Sequence, residues 1–199
     1  MKFVLIIFLS LCAILSENLY GQNDWELTKQ EGDISVYFRM INKKHFDVRV
    51  TTTFNTNAET LTSIIYDAST YPSWVYRCKS ANIMRIKNNS YIISVTDVPW
   101  PFKDREVVNY IHPPKKINKQ TILVKSISQP NVIPENPDYI RLGYSEVSWK
   151  IKTTGTNLIE LDYKLSLKID QEAPEFIIKL ISTNGPFESF KKLKEKLSN

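Results

Sequence analysis

Residue types that usually carry catalytic or metal chemistry are scarce in this chain of 199 residues, which contains 2 histidines, 2 cysteines and 5 glycines. His45 and His112 are far apart and the cysteines lack C-x-x-C spacing, so we expect no zinc or iron–sulfur site. No glycine pattern builds a phosphate-binding loop, and no G-x-S-x-G or Ser-His-Asp order is present. We therefore predict no metal, no cofactor and no identifiable catalytic residues.

Arg105 is the charged residue whose position is most informative. It follows a Pro-Trp-Pro segment and begins a predicted strand, on a face that it shares with Asn109. An arginine directed into an apolar interior is costly unless it is paired and hydrogen-bonded. Two interpretations stay open: Arg105 faces a ligand, or it forms a structural ion pair with Asp97 or Asp104 at the strand end.

Several large side chains are candidates for the wall of a cavity or for an ordinary core. Trp149 lies on the inward face of a predicted strand, and Arg141 shares that face if no bulge intervenes. Tyr163 sits in the middle of a strand on its buried face, where its hydroxyl needs a protein, water or ligand partner. Trp74 and Trp100 flank short proline-containing turns and either anchor these segments or contact a ligand.

The remaining sequence predicts the elements that position these residues. Period-two alternation indicates a sheet with one buried face, and Thr56-x-x-Glu59 resembles a capping box opening a short helix that ends by Pro72. The predicted strands are 34–39, 46–54, 81–87, 91–98, 105–112, 119–127, 140–152 and 157–169. This order, with a long helix over 174–197, indicates an α+β protein. Periodicity alone does not decide between a dry core and a cavity under the helix.

The long C-terminal helix carries an apolar face and one strong irregularity. Its first half presents Phe176, Ile177, Leu180 and Ile181, which would form the roof over the sheet. Asn184 and the following Gly-Pro pair predict a kink or break, and therefore a hinge for opening this roof.

The N-terminus has the pattern of a signal peptide, predicted as residues 1–21, leaving a domain of 22–199. Lys2 precedes an apolar run over 3–15, which is too short to span a bilayer comfortably. A cut after Gly21 would place a small residue at the cleavage site; an uncleaved anchor is the alternative. The expected location is therefore secreted or periplasmic, and Cys78 would be the only thiol left after cleavage.

The net charge of +5 has one local concentration, the lysines 191, 192, 194 and 196. Such a cluster is typical of a solvated helix face, and weak attraction to an anionic membrane surface is the functional alternative. No aromatic-interleaved basic strand accompanies it, so we expect no nucleic-acid partner.

Local motifs resemble one family along nearly the whole predicted domain, about residues 24–197. The segments Y-P-S-W-V-Y-R-C at 71–78 and D-V-P-W-P-F-K-D-R-E at 97–106 are similar to bacterial START domains, the StAR-related lipid-transfer family. So are E-N-P-D-Y-I-R-L at 135–142, the Ser145-x-x-x-Trp149 spacing, G-P-F-E at 185–188 and the opening segment 25–39. Each motif alone is moderately specific to this family, whereas their order and spacing together are strong evidence for the resemblance.

The resemblance implies a helix-grip fold. In it a curved antiparallel sheet wraps around the long C-terminal helix, with a short helix between strands two and three. It also implies one lipid or other apolar molecule held in an internal tunnel, without catalysis, so we predict that the protein is not an enzyme. In this family an arginine at the position of Arg105 points into the cavity and often pairs with an acid. Val95 occupies the acid's position here, and Asp97 is the candidate substitute.

We therefore predict an exported monomer that holds one lipid or sterol-like ligand, with transient contact with a membrane surface. Two alternatives are a sensor or interaction module with a filled core, and an enzyme on the same scaffold using Arg105, Asp97 and Tyr163. The candidate ligand-binding residues are Trp74, Val95, Asp97, Trp100, Arg105, Asn109, Arg141, Trp149, Tyr163, Phe176, Ile177, Leu180, Ile181 and Asn184.

Overall fold

The computed structural model describes residues 25–169 and 174–198, with the side chain of residue 175 left aside. The predicted signal peptide lies outside the described residues. The strands are β1 (Glu26–Glu31), β2 (Ile34–Asn42), β3 (His45–Phe54), β4 (Cys78–Ile86), β5 (Asn89–Thr96), β6 (Arg105–Ile111), β7 (Lys115–Lys116), β8 (Thr121–Ser128), β9 (Ile140–Arg141), β10 (Tyr144–Gly155) and β11 (Leu158–Lys168). The helices are α1 (Ala58–Tyr66), α2 (Tyr71–Trp74), α3 (Glu175–Lys179) and α4 (Gly185–Ser198).

The strands form one curved sheet in the order β1-β2-β3-β11-β10-β8-β6-β5-β4, in which neighbours are antiparallel. Short β7 pairs with β8, and β9 pairs in parallel with β6. The predicted α+β helix-grip class is confirmed. One detail differs: β1 precedes the two strands predicted first, so α1 lies between the third and fourth strands. β1 is an edge strand without alternating burial, and it therefore carries no period-two signal.

The core lies between the concave face of the sheet and the C-terminal helix. Strand β3 alternates strictly between buried and partly exposed positions, with Phe46, Val48 and Val50 directed into the core. Phe187 and Leu193 of α4 are almost fully buried against this face. The antiparallel sheet therefore has one apolar face covered by a helix and one face toward water.

Helix α1 begins one residue later than the predicted capping box implies. The side chain of Asn57, rather than that of Thr56, accepts a hydrogen bond from the backbone N–H of Thr60 at 2.8 Å. The helix ends at Tyr66 with Asp67 as its C-cap, and a 3-10 turn leads into α2, where Pro72 occupies the first turn instead of stopping the preceding helix. This short second helix places Trp74 in the core.

The C-terminal helix changes its winding where the sequence predicts a kink. Residues Leu180–Asn184 form a π-helical turn between α3 and α4, and the Gly185 N–H donates to the Leu180 carbonyl. Proline at 186 has no N–H for the carbonyl of Ser182, which accepts a hydrogen bond from the Thr28 hydroxyl at 3.1 Å instead. A Cβ at Gly185 would lie 2.8 Å from the Leu180 oxygen, so only glycine fits this turn.

The C-terminal half of the helix is fastened to the β2–β3 end of the sheet. The Lys194 ammonium donates to both carboxylate oxygens of Asp33, at 2.8 and 2.7 Å, and to the Thr53 carbonyl at 2.6 Å. One member of the lysine cluster is therefore used in helix anchoring. Within the described part of the chain, no helix is long and apolar enough to cross a membrane.

Candidate ligand-binding cavity

A cavity of about 470 Å³ separates the C-terminal helix from the sheet. Its floor consists of inward-facing residues of β5, β6, β8, β10 and β11; its roof consists of the π-helical turn and the adjoining ends of α3 and α4. The closed end is formed by α1 and α2. This volume lies in the range typical of small-molecule sites.

Aromatic rings pack together at the closed end of the cavity. The Trp149 ring lies 4.7 Å from that of Tyr163, 5.6 Å from that of Phe190 and 6.2 Å from that of Trp74, measured between centroids. Tyr163 and Phe190 approach to 5.1 Å. These contacts join β10, β11, α2 and α4, so the end of the cavity is apolar and well supported.

Tyr163 brings a polar atom into these apolar surroundings. Among the described residues its hydroxyl has no hydrogen-bond partner, and burial raises the pKa of the phenol well above its ordinary value. Tyr71, which also lines the cavity, differs because its hydroxyl donates to the Ile65 carbonyl at 2.6 Å. The Tyr163 hydroxyl therefore stays protonated at neutral pH and is available to a partner inside the cavity.

A second polar position lies further along the floor. Asn109 is only 6% exposed, and its amide oxygen accepts a hydrogen bond from the buried Ser145 hydroxyl at 2.7 Å. Ser94 and Ser126 stand on neighbouring strands of the same cavity floor. The lining is otherwise mainly apolar, so these groups form a distinct hydrogen-bonding zone.

The open end of the cavity is marked by lining residues that also reach the surface. Ile140 is 39% exposed, and Phe102 packs against Phe176 at 6.0 Å between ring centroids. Arg105 belongs to this mouth, where its guanidinium donates to the Lys103 carbonyl. Arg105 is thus on the cavity wall at its open end.

The two predicted carboxylate partners of Arg105 are engaged elsewhere. Asp97 pairs with Arg77, whose Nε also donates to the Asp97 carbonyl at 2.9 Å. Asp104 pairs with Lys79 at 2.9 Å, and this hydrogen bond holds the pKa of Asp104 below its ordinary value. The predicted structural pair of Arg105 with Asp97 or Asp104 is therefore not formed.

Part of the predicted set is brought together on the cavity wall. The residues on the wall are Trp74, Asp97, Arg105, Asn109, Trp149, Tyr163, Ile177, Leu180 and Ile181. Val95, Trp100, Arg141, Phe176 and Asn184 are not on it. Thr96, rather than Val95, stands opposite Arg105 in the β5–β6 register, so Val95 lies on the other face of the sheet.

Arg141 is displaced by a break in its predicted strand. β9 ends at Arg141 and β10 begins at Tyr144. Across this break the alternation of faces shifts by one residue, so Leu142 lines the cavity together with Trp149 and Arg141 does not. The Arg141 side chain is 3% exposed and pairs with the buried Glu106 on the side of the sheet away from the cavity. Its role is therefore structural.

The other three displaced residues lie near the mouth or on the outer side of the roof. Trp100 is 91% exposed at the tip of its turn, and Phe176 is 51% exposed beside Phe102. Asn184 ends the π-helical turn on its exposed side. The apolar helix face suggested Phe176, the proline-containing turn suggested Trp100 and the predicted hinge suggested Asn184; each lies within a few residues of a wall residue.

Sequence reasoning missed Ser94, Ser126 and Ser145 on the floor. The alternation of β5 and β8 carries this information, because Ile92 and Val124 stand two residues away on the same faces. Cys78 also lines the cavity, and burial raises the pKa of its thiol to about 11. It is therefore a neutral thiol near pH 7.

Comparison with known proteins supports this architecture. No family model matches the chain. Uncharacterized protein PA1579 of Pseudomonas aeruginosa is 22% identical over 173 residues, which cover 86% of this chain and 85% of the relative. The crystal structure of a STAR-related lipid transfer protein fragment from Xanthomonas axonopodis superposes with a TM-score of 0.77 and 18% identity, covering 88% of this chain and 99% of the fragment.

A second solved structure, human STARD10, has a TM-score of 0.71 and 18% identity over 87% of this chain and 72% of the human chain. At these identities the likeness establishes the fold. The chain has the fold of StAR-related lipid transfer domains, and the resemblance indicated by its sequence motifs is confirmed at that level.

Proposed function

We propose that this protein binds one hydrophobic ligand, a lipid or sterol-like molecule, between its sheet and its C-terminal helix. The observation that carries the proposal is the largely apolar cavity of about 470 Å³ on a START-like fold. Burial of apolar ligand surface supplies the affinity, at about 25 cal/mol per Å² before ordering costs.

The cavity weighs against a non-transferring module with a filled core. Such a module would close the space between the helix and the sheet with side chains, as close packing of protein interiors requires. Here both Tyr163 and Asn109 line a volume that side chains leave unfilled. Ligand binding is therefore favoured over a purely structural interior.

Catalysis on the same scaffold is the less favoured alternative. Its candidate groups are Arg105, Asp97 and Tyr163, but Asp97 is paired with Arg77. Tyr163 keeps its proton, because burial raises the pKa of its hydroxyl. Within the described residues, this leaves no arrangement of a proton acceptor beside a donor in the cavity.

Exchange of ligand with a membrane surface is part of the proposal. Trp100, Phe176 and Ile140 expose apolar surface around the mouth, and Lys103 and Lys179 lie beside them in the sequence. Tryptophan favours the membrane interface, and lysines favour anionic headgroups. This mouth patch supports membrane contact better than the lysines of α4.

Export through the N-terminal segment and action as a monomer complete the proposed picture. The support for export is the apolar run at residues 3–15, which has the length of a signal-peptide core. Detection of the mature chain beginning near residue 22 outside the cytoplasm would test this part independently of ligand binding.

Ligand uptake is tested with delipidated protein incubated with lipid vesicles and examined by native mass spectrometry. We expect one bound lipid per chain. Val147→Phe fills the cavity from its floor and should abolish uptake, whereas Met84→Phe adds the same ring on the edge strand β4 and should not. Absence of any bound species in the unaltered protein would contradict the proposal.

A further inference from the structure

Two nearly buried side chains on the cavity floor carry polar atoms that the protein leaves unused. Asn109 is 6% exposed and Ser126 is 7% exposed, and both line the cavity. Within the described ranges, the Asn109 amide nitrogen and the Ser126 hydroxyl have no protein hydrogen-bond partner. Both residues line the cavity, so a molecule inside it can supply the missing hydrogen-bond partners.

The sheet register places the two groups next to each other. Asn109 pairs with Ser128 and Ile111 pairs with Ser126, so Asn109 and Ser126 are diagonal neighbours on one face. Such neighbours stand about 7–8 Å apart, which leaves room for one oxygen atom of a ligand between their polar ends. The pair therefore has the spacing of a binding site for a single polar group.

Ser145 fixes the orientation of the asparagine. Its hydroxyl donates to the Asn109 amide oxygen at 2.7 Å, so the amide nitrogen is left as the donor toward the cavity. Ser145 is itself held in place because its backbone N–H donates to the Ser128 hydroxyl at 3.1 Å. The site therefore offers one fixed N–H donor and one hydroxyl that can donate or accept.

The site has no charge of its own. Among the described lining residues, the charged ones are Asp97 and Arg105, both at the mouth. Arg105 precedes Asn109 by four positions on β6, which corresponds to about 13 Å along a strand. A carboxylate or phosphate placed at Asn109 would thus be buried without a counter-ion, at a high desolvation cost.

The volume is sufficient for a lipid-sized ligand. About 470 Å³ lies within the range of small-molecule sites, so an alkyl chain or a compact isoprenoid fits beside the polar groups of the floor.

We propose that Asn109 and Ser126, oriented by Ser145, form a subsite for the hydroxyl group of an uncharged lipid. A hydroxyl is matched to both partners, because it accepts from the Asn109 amide and donates to the Ser126 oxygen. This inference rests on the proposed function and adds the chemical class of the ligand to it.

The test compares dodecanol with dodecane, which share a chain length and differ in the hydroxyl. Affinities are measured by displacement of the neutral fluorophore N-phenylnaphthylamine from delipidated protein. The unaltered protein should bind dodecanol at least as tightly as dodecane, because the subsite replaces the water lost by the hydroxyl. Without the subsite, an unpaired buried hydroxyl would make dodecanol bind at least tenfold more weakly.

Variants separate the subsite from general effects on the cavity. Ser126→Ala removes a hydroxyl without a protein partner, so it should fold normally and weaken dodecanol binding three- to tenfold while dodecane binding stays unchanged. Asn109→Leu should weaken dodecanol binding further. Ser148→Ala makes the same change as Ser126→Ala on the outer face of β10 and should alter neither affinity.

The outcomes distinguish this inference from the proposed function. If Ser126→Ala weakens the binding of dodecanol and dodecane equally, or weakens neither, the subsite is refuted, whereas the proposal that the cavity binds hydrophobic molecules stands. Dodecanol bound more than tenfold more weakly than dodecane by the unaltered protein would also overturn it. Failure of both probes to bind would contradict the proposed function as well.

Discussion

Replacing Arg141 by methionine should destabilise the fold without a direct effect on ligand contacts. The guanidinium is buried and donates to Glu106 from Nε at 2.8 Å and also from Nη2. It donates further to the carbonyls of Pro130 and Ile133, each at 2.7 Å, and to that of Pro134 at 2.8 Å. One side chain thus fastens the loop between β8 and β9 to the outer side of β6.

The size of the expected loss in stability follows from the burial of the Arg141–Glu106 pair. The Arg141 and Glu106 side chains are 3% and 7% exposed, so removal of the arginine leaves a buried carboxylate without its partner. Breaking one side of such a pair costs about 3–5 kcal/mol. A typical domain is stable by only about 5–15 kcal/mol, so Arg141→Met should lose a large fraction of the free energy of unfolding.

Urea denaturation measures this loss. At a typical slope of about 2 kcal/mol per M, the midpoint should fall by about 2 M. Arg85→Met, which changes an exposed arginine on β4, should leave the midpoint nearly unchanged. A loss below 1 kcal/mol for Arg141→Met, together with weaker ligand binding, would refute the structural role and restore Arg141 as a ligand contact.

Three further outcomes are expected. Gly185→Ala should lower the free energy of unfolding in thermal melts, although alanine favours helices, because its Cβ would meet the Leu180 oxygen at 2.8 Å; unchanged or raised stability would contradict this packing. Burial opposes ionisation of Asp33, but hydrogen bonds from Lys194 and Thr53 outweigh it and hold the pKa well below its ordinary 3.8. The stabilisation by Asp33 is therefore present above pH 4 and lost as pH falls further, so Asp33→Asn should cost stability at pH 7 and progressively less below pH 4. A pH-independent cost would refute this assignment. Trp100→Ser should slow ligand transfer between vesicles without lowering stability, whereas Met84→Ser, another exposed apolar side chain, should have no effect.

Alternation along strands predicted most of the sheet. It succeeds in β3 and β11 because one face packs in the core while the other meets water, so the period of two appears directly in the residue types. It also places Asn109 and Arg105 on one face of β6, as the structure does. These inferences require only a regular strand.

The orientation of side chains in irregular segments could not be predicted from the sequence. The break between β9 and β10 reverses the face of Arg141. Gly143 lies in this break and is typical of a strand irregularity, but a glycine does not determine the face on which the strand resumes. Thr96 and Asp97 both line the cavity, although adjacent residues of a regular strand face opposite sides of a sheet. This is possible because β5 ends at Thr96 and the alternation does not extend to Asp97. For Trp100, a proline-flanked turn restricts the backbone but does not determine whether the ring points inward or toward solvent.

Electron density within the cavity would test the central claim most directly. A crystal structure of protein loaded from lipid vesicles should contain one elongated molecule between the π-helical turn at Leu180–Asn184 and the floor of β6, β8 and β10. Its apolar body should contact the rings of Trp149 and Tyr163. A loaded crystal in which this space contains only water, or is closed by repacked side chains, would contradict the claim that the protein binds a hydrophobic ligand there.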